Sequence, residues 1–199
     1  MAAPESKNIS DLNGKWVLNT KLSDPTGPTL SLQGVGWMTQ KLISAATITI
    51  QITQYSLPAE VFHGAGAEES VVHINIEQSV TNLKGMTEKR CLDNEWHEHS
   101  DWLFGTVRGK GKWASYEELG GDELKAGWLE NGIEAVGPYG RTHILFRVES
   151  LERGWVANEV WGFQMINNER RYVRNVVVTS GGKVSRIRMV YDWIGFDVK

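Results

Sequence analysis

The chain has 199 residues, with 21 lysines and arginines against 24 acidic residues, which gives a net charge of −3. This length suits one domain with a substantial core. The near balance of charge, without a basic block, argues against a nucleic-acid partner. No apolar run approaches the length of a membrane-spanning helix and no secretory signal pattern is present, so we expect a cytoplasmic protein.

One cysteine and nine tryptophans are the unusual features of the composition. Cys91 cannot form an internal disulfide, which is typical of a reducing compartment. Lys89 and Arg90 could lower the pKa of its thiol, but no nucleophile motif surrounds it, so we interpret it as a structural cysteine. The tryptophans suit either a tightly packed core or an aromatic-lined pocket.

The first part of the chain predicts a strand, a helical interruption and a return to strands. Residues 1–12 indicate a flexible tail, and the first strand begins at Asn13. Between 29 and 44, TLSLQGVGWMTQKLIS spaces its apolar residues almost as a helix does, which predicts one or two short helices. The segments TITIQITQYS and SVVHINIEQSV then alternate apolar and polar residues, as half-buried strands do.

Alternate positions of EWHEHSDWLF carry four residues that can bind a metal, Glu95, His97, His99 and Asp101. Such positions share one face of a strand, and histidines and carboxylates are common metal ligands. A catalytic zinc site would need a further ligand placed by the fold, and a charged row is usually the solvated side of a sheet. We therefore expect no metal here, and we expect Trp96, Trp102 and Phe104 to be buried.

Residues 116–140 interrupt the strand pattern with a glycine-rich, acidic sequence. We interpret this segment as an inserted loop with a short helix or an irregular strand. Loops of this length in a compact domain tend to be lids or binding elements. With this insertion, residues 13–199 are predicted to form a single domain.

The last third of the chain contains three strand-like runs, GWVANEVWGFQMI, RRYVRNVVVT and KVSRIRMVYDWIG. Asn167-Asn168 separates the first two, and Ser180-Gly181-Gly182 separates the second from the third. Tight polar or glycine turns between such runs are typical of antiparallel hairpins. We therefore predict a β-meander that closes a barrel.

One face of the first of these runs is aromatic and contains a single charge. The alternation of a strand places on it Trp155, Ala157, Glu159, Trp161, Phe163 and Met165. A carboxyl group among indole and phenyl rings is desolvated, which raises its pKa and suits a general acid or base. Alternatively, Glu159 lies near a barrel rim or pairs with an arginine of a neighbouring strand.

The next two runs carry rows of arginines. Arg170, Tyr172 and Arg174 share one face of the first, and Arg186 and Arg188 share one face of the second. A guanidinium group that points inward can hold a carboxylate or an oxyanion through its planar fork. The sequence leaves open which row points inward.

Two segments resemble a known family. Gly14-Lys15-Trp16 is the G-x-W that begins the first strand of lipocalins and intracellular fatty-acid-binding proteins. LQGVGWMTQKLISAATITIQI resembles the helix-turn-helix and second strand of the latter. The chain therefore resembles a calycin. The resemblance implies an all-β fold, an antiparallel up-and-down β-barrel of about ten strands, with a short helical lid after the first strand and a hydrophobic small-molecule ligand inside.

The family's ligand anchor differs in this chain. In fatty-acid-binding proteins an Arg-x-Tyr pair on the last strand holds the ligand carboxylate, whereas here that spacing occurs one strand earlier, at Arg170-x-Tyr172. This earlier pair could take over the role. In lipocalins a last-strand arginine packs over the G-x-W tryptophan, so Arg186 or Arg188 could instead stack on Trp16, a cation–π contact worth about 0.5–2 kcal/mol.

Two functions fit these features. One is the binding of a hydrophobic small molecule in the barrel cavity; the alternative is a cofactor-independent isomerase or cyclase that acts on a terpenoid-like or polyketide-like substrate held there. The oligomeric state is open. The candidate catalytic residues are Glu159, Tyr172 and Arg174. The candidate ligand-binding residues are Trp155, Trp161, Phe163, Arg170, Arg188, Tyr191, His73 and Trp102.

Overall fold

Segments of alternating or apolar residues form ten strands within the described residues of the computed structural model, which are 1–58, 70–81, 83–134 and 136–196. The strands are β1 (Gly14–Leu18), β2 (Ile48–Pro58), β3 (Ser70–Val80), β4 (Leu83–Cys91), β5 (His97–Asp101), β6 (Gly105–Ala114), β7 (His143–Ser150), β8 (Val156–Ile166), β9 (Glu169–Ser180) and β10 (Lys183–Gly195). They form one antiparallel sheet in the order β4-β3-β2-β1-β10-β9-β8-β7-β6-β5. The sheet curls into a nearly closed barrel, which confirms the predicted fold class.

The seam of the barrel lies where the two ends of the sheet meet. The edge strands are β4 and β5, and the backbone N–H of Asn94, in the turn between them, donates to the carbonyl of Gly111 on β6 at 2.8 Å. Gly111 is needed here because a Cβ at this position would come within 2.8 Å of the Cys91 carbonyl and closer still to the Phe146 ring. The seam is therefore closed by irregular contacts instead of a regular strand ladder.

Two short helices cover one end of the barrel, as the sequence predicts. Helix α1 (Gly27–Leu32) and helix α2 (Trp37–Ala45) follow β1, and Gly34 turns the chain between them with φ +77°. The hydroxyl of Thr29 hydrogen-bonds that of Ser185 on β10 at 2.8 Å, and Leu30 and Ile43 are buried beneath the helices. The pair forms a lid, called the helical lid below.

Residues 1–12 close the opposite end of the barrel. The backbone N–H of Ala3 donates to the carbonyl of Arg170 at 2.7 Å, and that of Trp193 donates to the carbonyl of Met1 at 3.0 Å. Ile9 and Leu12 are fully buried. This packing differs from the flexible tail that the sequence predicts, because Ala3, Ile9 and Leu12 turn toward the barrel and are buried.

The insertion at 116–140 lies on the outer wall of the barrel. It contains α3 (Asp122–Lys125) and 3-10 turns at Tyr116–Glu118, Gly132–Glu134 and Pro138–Gly140. Its buried apolar side chains form a second core with residues on the outward face of the wall: Leu119, Leu124, Trp128, Val160, Val173 and Val190. The expected inserted loop therefore covers the wall and is not a lid over the cavity mouth, so that both faces of β8 are buried.

His143 lies beneath this outer layer and gives the fold a pH dependence. Its ring packs edge-on against Trp128 at 5.1 Å and its Nδ1 hydrogen-bonds the hydroxyl of Thr142 at 2.7 Å. Burial lowers the pKa of His143 from 6.5 to about 4. Between these pH values the unfolded chain is protonated at this residue while the folded chain is not, so stability rises with pH.

We expect the contribution of His143 to the free energy of unfolding to be fully present above pH 6.5 and to be lost as the pH falls toward 4. The contribution of His143 to this loss is up to about 3 kcal/mol. Urea unfolding at roughly pH 7.0, 6.0, 5.0 and 4.5 measures this loss of stability. In a His143→Leu variant the decline with falling pH should be shallower by this amount; an unchanged decline would assign the pH dependence to other groups.

Candidate functional site

The cavity lies between the helical lid and a plug of aromatic side chains. The plug fills the half of the barrel nearer the N-terminus with the fully buried side chains of Trp16, Trp161, Phe163, Tyr172 and Tyr191. Above it remains a cavity of about 160 Å³. Its apolar walls come from the lid, six strands and the turns before β6 and β8. They include Leu30, Ile43, Ile48, Met86, Leu103, Phe104, Val107, Val148, Trp155, Val176, Ile187 and Met189.

A chain of charged groups crosses the barrel interior at the floor of this cavity. Arg90 on β4 pairs with Glu88 at 2.7 Å and with Glu159 on β8 at 3.2 Å. The indole N–H of Trp161 donates to the same Glu159 carboxylate at 3.2 Å. The Arg90 guanidinium also lies over the Phe146 ring, 4.6 Å from its centroid. Glu159 therefore accepts from two donors, and this network holds the floor of the cavity in place.

Arg174 lies on the cavity wall beside this network. Its guanidinium stacks on the Trp161 ring at 3.9 Å, and its Nε donates to the Tyr172 hydroxyl at 2.9 Å. The residue is 7% exposed, and its Nη2 has no hydrogen-bond partner among the described residues. A buried donor without a partner costs about 1–3 kcal/mol, or more when charged. Arg174 thus places a charged guanidinium group at the cavity wall, with one buried nitrogen that has no partner among the described residues.

The protonation states of the wall follow from burial and the two guanidinium groups. Burial opposes ionisation of Glu88, but Arg90 and Arg174 outweigh it and hold the pKa of that carboxyl below its usual value. Burial raises the pKa of the Tyr172 phenol, and it does the same for Tyr191. At neutral pH the site therefore combines a Glu88 carboxylate and two guanidinium groups with neutral phenols.

Four of the candidate catalytic and ligand-binding residues line the cavity: Trp155, Glu159, Arg174 and Tyr191. The alternation of β9 turns the row of Arg174 inward, which resolves the choice that the sequence left open. Trp161 and Phe163 are fully buried in the aromatic plug, one layer behind the cavity wall, and Tyr172 is buried beside Arg174. The predicted aromatic face of β8 is therefore internal, apart from Met165 at its end, which is 55% exposed.

Four other predicted ligand-binding residues lie away from the cavity. His73 is on the outer face of β3 and stacks on Tyr55 at 5.5 Å, and Trp102, in the turn after β5, is 41% exposed. Arg170 binds Glu134 at 2.5 Å and two carbonyls of the N-terminal segment, so it holds the barrel's closed end. Arg188 lies on the outer face of β10, where its backbone N–H donates to an Asp24 carboxylate. These four assignments are corrected by the geometry.

Arg186 also lies on the outer face of β10, where it binds Glu123 of the insertion at 2.7 Å. Trp16, by contrast, is fully buried inside the barrel, in edge contact with Trp193 at 4.8 Å. The stacking of a last-strand arginine on Trp16 is therefore wrong for this chain. The strand alternation explains the difference, since Trp193, Tyr191 and the other inward residues of β10 sit at odd positions and its arginines at even ones.

The charged row of β5 faces the barrel mouth, not bulk solvent alone. His99 and Asp101 line the cavity, while Trp96 and Trp102 are 38% and 41% exposed. Trp96 packs under Arg108 on the outer surface, with the guanidinium 4.6 Å from its ring. The predicted burial of Trp96 and Trp102 is wrong, because both flank a strand at the edge of the sheet, whereas Phe104 packs against the core as predicted.

Sequence reasoning missed Glu88 and Arg90, the two residues that complete the charged floor. Both belong to β4, whose sequence LKGMTEKRC is only weakly strand-like. Met86, Glu88 and Arg90 alternate there and all line the cavity. An acid and a base two residues apart on a strand face are a signal for an internal ion pair, but nothing in a single sequence tells which face is internal.

Solved structures share the barrel at low sequence identity. Fatty-acid-binding protein 1 of Echinococcus granulosus matches with a TM-score of 0.52 at 13% identity, covering 92% of this chain and 98% of that one. Zebrafish ileal bile acid-binding protein matches with a TM-score of 0.50 at 10% identity, covering 92% of this chain and 98% of that one. These matches show the fold of the fatty-acid-binding proteins, as the G-x-W segment and the segment LQGVGWMTQKLISAATITIQI predict.

No family model matches the chain. Among its described residues, none of the helices is long and apolar enough to cross a bilayer.

Two curated proteins match over nearly their whole length. The pericyclase pydY of Acremonium sp is 29% identical over 195 residues, which are 98% of each chain. The probable pericyclase scpY of Mollisia scopiformis is 31% identical over 196 residues, 98% of this chain and 95% of that protein. This identity and coverage, on a shared length, show that the chain belongs to the family of scpY and pydY.

Proposed function

We propose that the chain catalyses a pericyclic reaction of a hydrophobic substrate enclosed between the helical lid and the aromatic plug. In such a reaction bonds form and break together around a ring of atoms, so the product is an isomer of the reacting compound or a ring formed within it. Both curated relatives carry the name pericyclase and match nearly the entire chain. The observation that carries the proposal is the buried guanidinium group of Arg174, which lines the cavity and has a nitrogen, Nη2, without a partner among the described residues.

Arg174 would act by hydrogen bonding to an electron-withdrawing group of the substrate, such as a carbonyl. A donor on that oxygen draws electron density from the adjoining double bond and lowers the barrier to its reaction with an electron-rich partner. The effect is large at this site because the guanidinium is desolvated and already oriented by Trp161 and Tyr172.

The apolar walls would supply the rest of the rate enhancement by holding the substrate folded. Pericyclic reactions need their two reacting ends stacked at short range, and a flexible chain in water rarely adopts that shape. A closed cavity that binds the folded shape converts this rare conformation into the bound one. Trp155 and Phe104, whose rings contact each other at 5.7 Å, and Leu30 of the lid present flat or branched surfaces to the space and suit such a substrate.

Glu159 distinguishes a pericyclic mechanism from an isomerase that moves a proton. A concerted ring closure needs no general acid or base, whereas a proton-transfer isomerase would lose about 10²–10⁴ in rate without one. Glu159 accepts from Arg90 and Trp161, which makes it a positioning residue in this proposal. We expect the rate of Glu159→Gln to stay within about tenfold of the original rate, which is a smaller loss than the removal of a general acid or base causes. Its pH–rate profile should keep the same shape.

Loss of turnover in Glu159→Gln with unchanged substrate affinity would contradict the pericyclic assignment and return Glu159 to the role of acid or base. The matched control is Glu149→Gln. Glu149 also pairs with arginines, Arg108 at 2.7 Å and Arg147 at 2.9 Å, but on the outer surface of the barrel. The control should leave the rate unchanged.

The experiment that tests the function is mass spectrometry of an extract from the native organism, before and after incubation with the purified chain. The proposal expects one compound to disappear while an isomer of equal mass appears, at a rate proportional to the amount of protein. The second candidate, a carrier, is favoured by the apolar cavity itself. A compound that co-purifies and returns unchanged, with no isomer formed, would support the carrier and overturn the enzyme.

Other expectations from the sequence stay predictions: a cytoplasmic location, the absence of a nucleic-acid partner, and activity without a cofactor. Turnover in buffer without any added organic cofactor, compared with turnover after nicotinamide or flavin cofactors are added, checks the last of these. The proposal concerns a reaction that a concerted electron shift accomplishes within one substrate, so both samples should react at equal rates.

A further inference from the structure

A group of metal-binding side chains lies on the seam of the barrel, outside the cavity. Cys91 ends β4, Asp93 lies in the following turn, and His97 begins β5. One thiol, one carboxylate and one imidazole donor of these residues all lie within 4.8 Å of one another. Neither the catalytic proposal nor the strand core uses these groups.

A fourth donor faces this group from the neighbouring strand. His73 pairs with Cys91 across the β3–β4 ladder, and its Nε2 lies 3.9 Å from the Cys91 Sγ. The stack of its ring on Tyr55 fixes the orientation of that nitrogen. The Nε2 of His97 lies 2.8 Å from the Asp93 Oδ2. Three donors therefore lie together, and His73 approaches this group from the side of Cys91.

We propose that Cys91, Asp93, His97 and His73 form a tetrahedral site for Zn²⁺ that clips the barrel seam. The donor types are those of structural zinc sites, and four protein ligands leave no position for a substrate. With Zn²⁺ distances of about 2.0–2.3 Å, tetrahedral geometry needs donor separations of roughly 3.3–3.6 Å. The observed 2.8 Å pair would open slightly and the 3.9 Å pair would close slightly. The His73 imidazole, which lies outside the group of three donors, would also move toward Asp93 and His97 on binding.

The site is balanced in charge and supported by its surroundings. The Cys91 thiol releases its proton to solvent on binding, so one thiolate and one carboxylate neutralise the ion, while both histidines bind as neutral imidazoles. The remaining oxygen of Asp93, Oδ1, accepts from the backbone N–H of Glu95 at 2.9 Å, which directs Oδ2 toward the site. Such contacts fix the orientation of metal ligands.

The position of the site gives it a purpose in the fold. β4 and β5 are the two edges of the sheet, and regular strand hydrogen bonds do not join them. A metal held by β3, β4, the turn and β5 would tie both edges together through direct bonds. Because Glu88 and Arg90 sit on β4, this clip would also hold the charged floor of the cavity against the rest of the barrel.

The test is a titration of the untagged, chelator-treated full-length chain with Co²⁺, which substitutes for Zn²⁺ and reports its ligands by absorption. We expect one equivalent to bind with the intense visible bands of tetrahedral Co²⁺ and a thiolate-to-cobalt charge-transfer band in the near ultraviolet. Since Cys91 is the single cysteine, that band can come from this residue alone. Zn²⁺ should displace the cobalt and raise the melting temperature.

His97→Asn should weaken Co²⁺ binding at least ~tenfold, and His73→Asn by a similar factor. Cys91→Ser should abolish the charge-transfer band. His97 is half-exposed, so its variant keeps the test valid even if Cys91→Ser fails to fold. The matched control is Glu98→Gln, the exposed neighbour of His97 on β5, which should bind cobalt normally.

Cobalt that binds without a charge-transfer band, or that binds His97→Asn as tightly as the original chain, would overturn the site. A loss of affinity in His97→Asn but not in His73→Asn would overturn the fourth ligand and leave three. Since every readout is spectroscopic or thermal, the result is independent of the proposed activity.

Discussion

Arg174→Gln is expected to lower kcat for isomer formation about 10²–10³-fold, the usual cost of removing one preorganised donor from a reacting oxygen. Glutamine keeps a polar side chain, but it is shorter than arginine and lacks the charge and the fork of donors. The stack of Arg174 on Trp161 and its bond to Tyr172 would be lost as well. The rate of product formation under saturating substrate, followed by chromatography, measures the effect. KM should change much less than kcat.

Arg188→Gln is the matched control. Arg188 lies on β10, the strand paired with the β9 strand of Arg174, but it points outward. It should change kcat by less than about twofold, as surface substitutions away from the site do. Arg174→Lys restores the charge without the planar fork and should recover part of the rate. Equal losses in Arg174→Gln and Arg188→Gln would remove Arg174 from the mechanism.

Trp161→Ala is expected to reduce the free energy of unfolding by about 3–5 kcal/mol, the usual cost of removing a large buried aromatic side chain. Trp161 is fully buried, and it packs against Phe146 at 4.7 Å and Tyr172 at 6.4 Å. The change also removes the ring beneath Arg174 and a donor to Glu159, so the charged network loses two supports. Urea or guanidinium unfolding, with the slope of the transition compared between variants, measures the loss.

Trp102→Ala serves as the control for this prediction. Trp102 was singled out by the same sequence pattern, but it is 41% exposed in the turn after β5. Its removal should alter stability by no more than about 0.5 kcal/mol. A loss of similar size in both variants would show that the face assignment of β5 or β8 in the structure is incorrect.

The barrel was predictable because strand period and turn residues are local properties. Alternation in TITIQITQYS and in the last three runs, with Asn-Asn and Ser-Gly-Gly turns between the latter, defines strands and hairpins within a few residues of where they lie. The G-x-W and LQGVGW segments then narrow the barrel to one with a helical lid. None of this depends on contacts between distant parts of the chain.

The site was only partly predictable because alternation groups residues into faces without telling which face is internal. The aromatic residues of β8 identify its internal face, so the sequence correctly places Glu159 in the interior. On β9 both faces hold arginine and valine, and the insertion buries the outer one as well. On β5 the aromatic face is the exposed one, which reversed the expected positions of Trp96 and Trp102.

Contacts across the barrel were beyond reach of the sequence. Arg90 and Glu159 are 69 positions apart, on strands that are not neighbours in the sheet, and their ion pair depends on how the barrel closes. The same holds for the group of Cys91, Asp93, His97 and His73, which combines local neighbours with a cross-strand partner. The sequence pattern grouped His97 with Glu95, His99 and Asp101 at alternate positions of a strand, and not with the residues of this proposed site.

The measurement that tests the central claim most directly is a crystal structure of the chain with its reaction product bound. The account predicts the product in the cavity between the helical lid and the aromatic plug, with an oxygen about 2.7–3.1 Å from the Arg174 Nη2. Its ring should lie against Trp155 and Phe104. A product bound elsewhere on the barrel, or one that turns a hydrocarbon face to Arg174, would contradict the account.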